Sequence, residues 1–66
     1  MMQNLSKELQ HLIQAAREEN WEAVTELLSQ LADNEETIRW AFEEGIQDTD
    51  GNIRDLAVSV FEVNKY

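Results

Sequence analysis

Apolar side chains recur along this chain every third or fourth residue, which is the spacing of one face of a helix and not the alternation of a strand. Leu5, Leu9, Leu12, Ile13 and Ala16 share a stripe and predict a first helix over roughly residues 4–18. Asn20 then offers a side-chain oxygen to a free backbone N–H, the usual chemistry of a helix start. A second helix follows over roughly 21–32, with Val24, Leu27, Leu28 and Leu31 on one face and Trp21 at its opening, placed to staple the turn. Asp33-Asn34-Glu35-Glu36 is a restart signal: one residue to cap, then acids suited to the positive end of a helix dipole. The third helix is predicted over roughly 35–47, burying Ile38, Ala41, Phe42 and Ile46. Asp48-Thr49-Asp50-Gly51-Asn52 reads as a turn. A fourth helix over roughly 52–64 presents Ile53, Leu56, Ala57, Val60 and Phe61. Links this short force successive helices to pack antiparallel.

The pattern repeats. Shifted by 29 residues, Leu9 falls on Ile38, Leu12 on Ala41, Ile13 on Phe42 and Ala16 on Gly45. Val24, Leu27, Leu28, Leu31 and Ala32 fall on Ile53, Leu56, Ala57, Val60 and Phe61. All nine pairs are apolar or small, and bulk lost at one position returns at another, as a shared core requires. Residues 1–66 therefore read as a single all-α domain of four short antiparallel helices, with one helix-turn-helix repeat over about 5–33 and another over about 34–63. Two such hairpins can form a right-handed superhelical stack or close into a compact bundle.

The second copy carries a more specific signal. In Ile46-Gln47-Asp48-Thr49-Asp50-Gly51-Asn52-Ile53-Arg54-Asp55-Leu56-Ala57, an aspartate near the end of one helix precedes an Ile-Arg pair and then a small residue. With Asp48, Ile53, Arg54 and Ala57 in those places, the segment resembles a HEAT repeat of the armadillo/HEAT α-solenoid type. The resemblance implies that Asp48 and Arg54 interact to brace the turn, and that the chain serves as a protein-binding module. It covers residues 34–63 better than 5–33: in the first copy Glu19 replaces the aspartate and Thr25 the arginine.

Composition narrows the possibilities. A chain of 66 residues buries only about 60% of the surface that it exposes when unfolded. Such domains often rely on a staple, yet there is no cysteine for a disulfide, and one histidine cannot make a structural zinc site. No metal or cofactor is expected. The absence of proline and the presence of only two glycines favour helices. The formal net charge is −9, spread over both halves: six acidic against two basic residues in 1–33, eight against three in 34–66. This charge repels phosphates and anionic membranes, so neither direct nucleic-acid binding nor membrane association is expected. A basic protein partner fits it. No apolar run reaches the roughly 20 residues of a membrane span. Met1-Met2-Gln3-Asn4-Leu5 lacks the basic and apolar regions of a signal peptide, so the expected location is cytoplasmic.

No catalytic constellation is expected. His11 lies off the Leu9–Leu12–Ile13 stripe with no nucleophile motif near it in sequence. The Asp48–Asn52 turn invites comparison with a calcium loop, but with Gly51 in the glycine slot the loop would start at Ile46 and end at Ala57, so two essential carboxylates are missing. Glu18-Glu19, Glu35-Glu36 and Glu43-Glu44 read as solvated faces and helix starts. Trp40 stands out: two residues from Ile38 is about 200° around a helix, which places it off the main stripe, where it either packs under a neighbouring helix or marks a contact surface. Val58, Phe61, Val63 and Tyr66 make the C-terminal end apolar over more than one face.

The function expected from these readings is a small non-enzymatic protein–protein interaction module. Trp40, Val58, Phe61, Val63 and Tyr66 would make the contacts, and Glu43, Glu44 and Glu62 would form a carboxylate rim. The docked partner would be a basic protein or a second copy of the chain, giving a homo-oligomer. The alternative is an acidic, antitoxin-like inhibitor that masks another protein's nucleic-acid-binding surface.

Overall fold

The computed structural model describes residues 5–64. Four α-helices run through them, α1 (Lys7–Arg17), α2 (Trp21–Leu31), α3 (Glu35–Glu43) and α4 (Gly51–Asn64), with a 3₁₀ turn at Gly45–Gln47 and no strand among the described residues. The all-α architecture is therefore the one that the helical spacing predicts.

Each helix starts where a short polar side chain takes up a free N–H. Ser6 Oγ accepts from Leu9 N–H at 3.2 Å, Asn20 Oδ1 from Ala23 at 3.3 Å, Asn34 Oδ1 from Glu36 at 2.8 Å and Asp50 Oδ1 from Asn52 at 2.9 Å. Acids in the first turns of α1, α2 and α3 (Glu8, Glu22, Glu35, Glu36) add favourable charge at the dipole's positive end.

The two hairpin turns are built differently. After α1, Glu19 takes a left-handed conformation (φ 60°). This lets Asn20 N–H reach Ala15 C=O at 2.9 Å and Glu19 N–H reach Ala16 C=O at 3.0 Å. The pair of bonds closes the helix in a Schellman arrangement, with glutamate at a position where glycine is common. After α3 the chain tightens into the 3₁₀ turn, then extends at Asp48 (φ −65°, ψ 146°) before α4 begins.

Helix α1 packs on both α2 and α4, and α3 packs on α4. Polar ties fix the ends. Ser6 N–H donates to Glu36 Oε2 at 3.0 Å, joining the starts of α1 and α3. Arg17, at the end of α1, reaches Asp48 at 3.8 Å and Asp50 at 3.7 Å in the link before α4. Asn64 donates to Ala32 C=O at 2.6 Å, joining the ends of α2 and α4. These contacts make a compact bundle with principal extents of 27 × 24 × 21 Å. Leu9, Leu12, Ile53, Leu56 and Val60 are fully buried at its centre. Burying each such side chain contributes about 1.5–3 kcal/mol relative to exposure. Thr37 is also buried, and its hydroxyl has no hydrogen-bond partner.

The second hairpin departs from the predicted burial in three ways. Trp40, off the predicted stripe and open to either reading, is only 5% exposed. Phe42 and Ile46, expected in the core, are 56% and 44% exposed. The third helix, expected to run to residue 47, ends at Glu43. One cause accounts for Trp40 and Phe42. The buried arc of α3 is Thr37–Trp40–Ala41 rather than Ile38–Ala41–Phe42, a rotation of one residue or about 100°. Both arcs have i, i+3, i+4 spacing, so periodicity alone does not choose between them. The indole brings the larger apolar area inward. It fits because Gly45 has no side chain: a Cβ there would sit 2.9 Å from Trp40 Cη2 and 3.0 Å from Ala57 Cβ.

Candidate interaction surfaces

The rotation of α3 gives its two exposed flanks opposite characters. One flank is apolar. Phe42 lies against Phe61 of α4, with ring centroids 4.7 Å apart and planes inclined at 45°. Phe61 is partly buried against the core, and Ile38, one helical turn before Phe42, is likewise half-buried. Val58, one turn before Phe61, is exposed, as is Ile46 in the 3₁₀ turn packed on α4. Two exposed or half-exposed aromatic rings and neighbouring aliphatic groups thus lie along the α3–α4 seam.

The other flank is acidic and concave. A groove of about 280 Å³ lies between Leu5 and α3, lined also by Glu35, Glu36, Arg39, Trp40, Glu43 and Glu44. Arg39 is tied to Glu35 at 3.3 Å, an exposed i, i+4 pair worth about 0–1 kcal/mol. Glu36 is occupied by the Ser6 N–H. The Glu43 and Glu44 carboxylates make no hydrogen bond or ion pair among the described residues. The benzo edge of Trp40 is pressed on Gly45 beside Ala57, and Trp40 also lines the groove.

The residues expected to form one contact surface are therefore divided. Val58 and Phe61 belong to the apolar seam, and Glu62, exposed, follows Val58 by one turn. Val63 is exposed on another side of α4, because two residues beyond Phe61 is about 200° of rotation. Trp40, Glu43 and Glu44 belong to the groove. Tyr66 lies outside the described residues. Phe42 and Ile46 were missed as surface residues. The available signal was Gly45 five residues after Trp40, a gap able to receive the indole.

The turn implied by the HEAT resemblance is braced through a different atom. Arg54 Nη1 donates to the Asp48 backbone carbonyl at 2.8 Å. The Asp48 carboxylate instead accepts from Asp50 N–H at 2.8 Å and faces Arg17. Both aspartates of this turn are thus held by the protein's own arginine and backbone. His11 is exposed on α1. No helix among the described residues is long and apolar enough to cross a membrane. No family model matches the chain, and neither a curated protein nor a solved structure matches it.

Proposed function

We propose that the chain is a small protein-binding module of two HEAT-like hairpins that docks a partner protein along the α3–α4 seam. One observation carries this reading: Phe42, Ile46 and Val58 are exposed in a domain that has little apolar area to spare, and Phe42 stacks on Phe61 rather than entering the core. Exposed aromatic rings next to aliphatic groups are typical of contact centres. The brace from Arg54 to the Asp48 carbonyl supports the HEAT-like part of the proposal, since it fixes the angle at which α4 leaves the turn. The net charge of −9 favours a basic partner over a second copy, because two copies would bring like charges together.

The test is site-specific photo-crosslinking in cells that make the protein, with the reactive side chain at Val58 and, as a control, at Thr25 on the exposed side of α2. A discrete adduct from Val58 alone, lost on Phe61→Asp, is expected. Equal adducts at both sites, or none, would remove the proposal. Light scattering of the purified protein separates a second copy from a different partner. Weak dependence of binding on salt fits apolar docking, whereas steep weakening fits charge mimicry of the antitoxin-like kind.

A further inference from the structure

We infer that copies of the chain stack head to tail, the α3–α4 seam of one seated on the outer side of α2 of the next, with Ile46 against Trp21. This rests on the reading of the seam as a docking surface and names what covers it when no other partner is bound. The same kind of joint is already made once inside the chain. Helix α1 packs on α2 and also on α4 of the following hairpin, whereas its equivalent α3 packs chiefly on α4. Likewise α4 packs on α3 and on α1 of the preceding hairpin, whereas its equivalent α2 packs chiefly on α1. Exposure follows the missing neighbours. Leu56 and Val60 of α4 are fully buried, while Leu27 and Leu31 at the equivalent places of α2 are half-buried. Ala32 is buried and Ile13 half-buried, while their equivalents Phe61 and Phe42 are half-buried and exposed. The two uncovered sides are thus the two halves of one joint. In the inner joint Arg17 reaches Asp50 at 3.7 Å. Shifted by 29 residues, that ion pair becomes Ile46 and Trp21, exposed by 44% and 41%. Both members are apolar in the outer set, so hydrophobic contact stands where the inner joint has a salt bridge. The tie from Asn64 to Ala32 is not repeated, because Glu35 holds the equivalent place and its carboxylate has no proton to donate. A contact between two different faces does not pair off as a symmetric dimer and gives open stacks. Each copy carries a charge of −9, so stacking is weak at low salt and a basic partner displaces it from the seam.

Sedimentation velocity of the full chain, up to about 1 mM and at low and high salt, tests the stack. Mass should rise with concentration without stopping at a dimer, and more steeply in high salt, where like charges are screened. Over the same range the indole ¹⁵N–¹H signal of Trp21 should shift. Trp21→Asp and Ile46→Asp should each weaken association by about tenfold or more, as loss of a large apolar anchor from an interface does. Both side chains are exposed, and far-UV circular dichroism checks that the fold survives. His11→Asp adds the same charge at an exposed place on α1, which belongs to neither face, and should leave association within about twofold. Mixing the Trp21→Asp and Ile46→Asp proteins joins an intact seam to an intact α2, so a dimer that grows no further is expected. A monomer under every condition, association unchanged in both variants, or a mixture no heavier than its components overturns the stack. A Trp21 signal that stays fixed while mass rises does the same, and decides the matter if either variant unfolds. A monomer whose Val58 adduct to another protein still forms overturns the stack alone, and a stack without that adduct overturns the partner reading alone.

Discussion

The two hairpins have matched hydrophobic patterns, but of their first helices only α1 buries the stripe that its pattern predicts, and α3 does not. In α1, Leu9, Leu12 and Ala16 are buried, Ile13 packs at the core's edge, and His11 is exposed. At the equivalent positions of the second hairpin, Ile38 is half-buried, Phe42 is exposed and Trp40 is buried. The difference lies in two substitutions that act together. Histidine in the first copy becomes tryptophan in the second, and Ala16 becomes Gly45. The bulky ring enters where the methyl group has been removed, and the helix turns by one residue to admit it. Periodicity therefore states that a helix has a buried face. Volume decides which of two overlapping faces it is.

This comparison is open to direct attack. The largest effect is expected from Trp40→Ala, which removes the residue that set the rotation. It should cost about 3–5 kcal/mol, enough to remove most of the stability of so small a domain, whereas His11→Ala at the equivalent position should stay within about 0.5 kcal/mol. Urea melts followed by far-UV circular dichroism would measure both. Similar losses from the two changes would mean that the indole does not organise the second hairpin. Next is Gly45→Ala. The added methyl meets the indole and Ala57 at 2.9–3.0 Å, so the helix must shift or the ring must leave. A loss of about 1–3 kcal/mol is expected, with a change in Trp40 emission as the ring moves outward. A stabilised protein with unchanged emission would refute the close fit. The smallest effect is expected from Thr37→Val, which replaces a buried hydroxyl lacking a partner by a methyl of similar shape. Stability should rise by about 1 kcal/mol, seen as a higher urea midpoint at constant slope. A fall would show that the rotated arc has been assigned the wrong inner residue.

Much of the fold was legible in the sequence, because its signals are local. Asn20, Asn34 and Asp50 each take an N–H within three residues, so the starts of α2, α3 and α4 could be found without knowledge of the rest of the chain. The candidate surfaces were less legible. Val58 and Phe61 lie one turn apart on α4, whereas Val63 projects to another side of the helix. Glu43, Glu44 and Trp40 were named as contacts while their common groove was not, because its other wall is Leu5, more than 30 residues away in sequence. The Arg17 bridge to Asp48 and Asp50 was invisible for the same reason.

The sequence by itself determined that there are four helices, where three of them begin, and that they pair as antiparallel hairpins. Each of these follows from the backbone's local hydrogen-bonding needs and from links too short to allow another path. Only the tertiary structure decided how α3 is rotated, which aromatic side chain is buried, and hence which flank is apolar and which is acidic. Those outcomes depend on whether a given volume fits between side chains brought together from distant parts of the chain, and close packing admits one arrangement where spacing admits two.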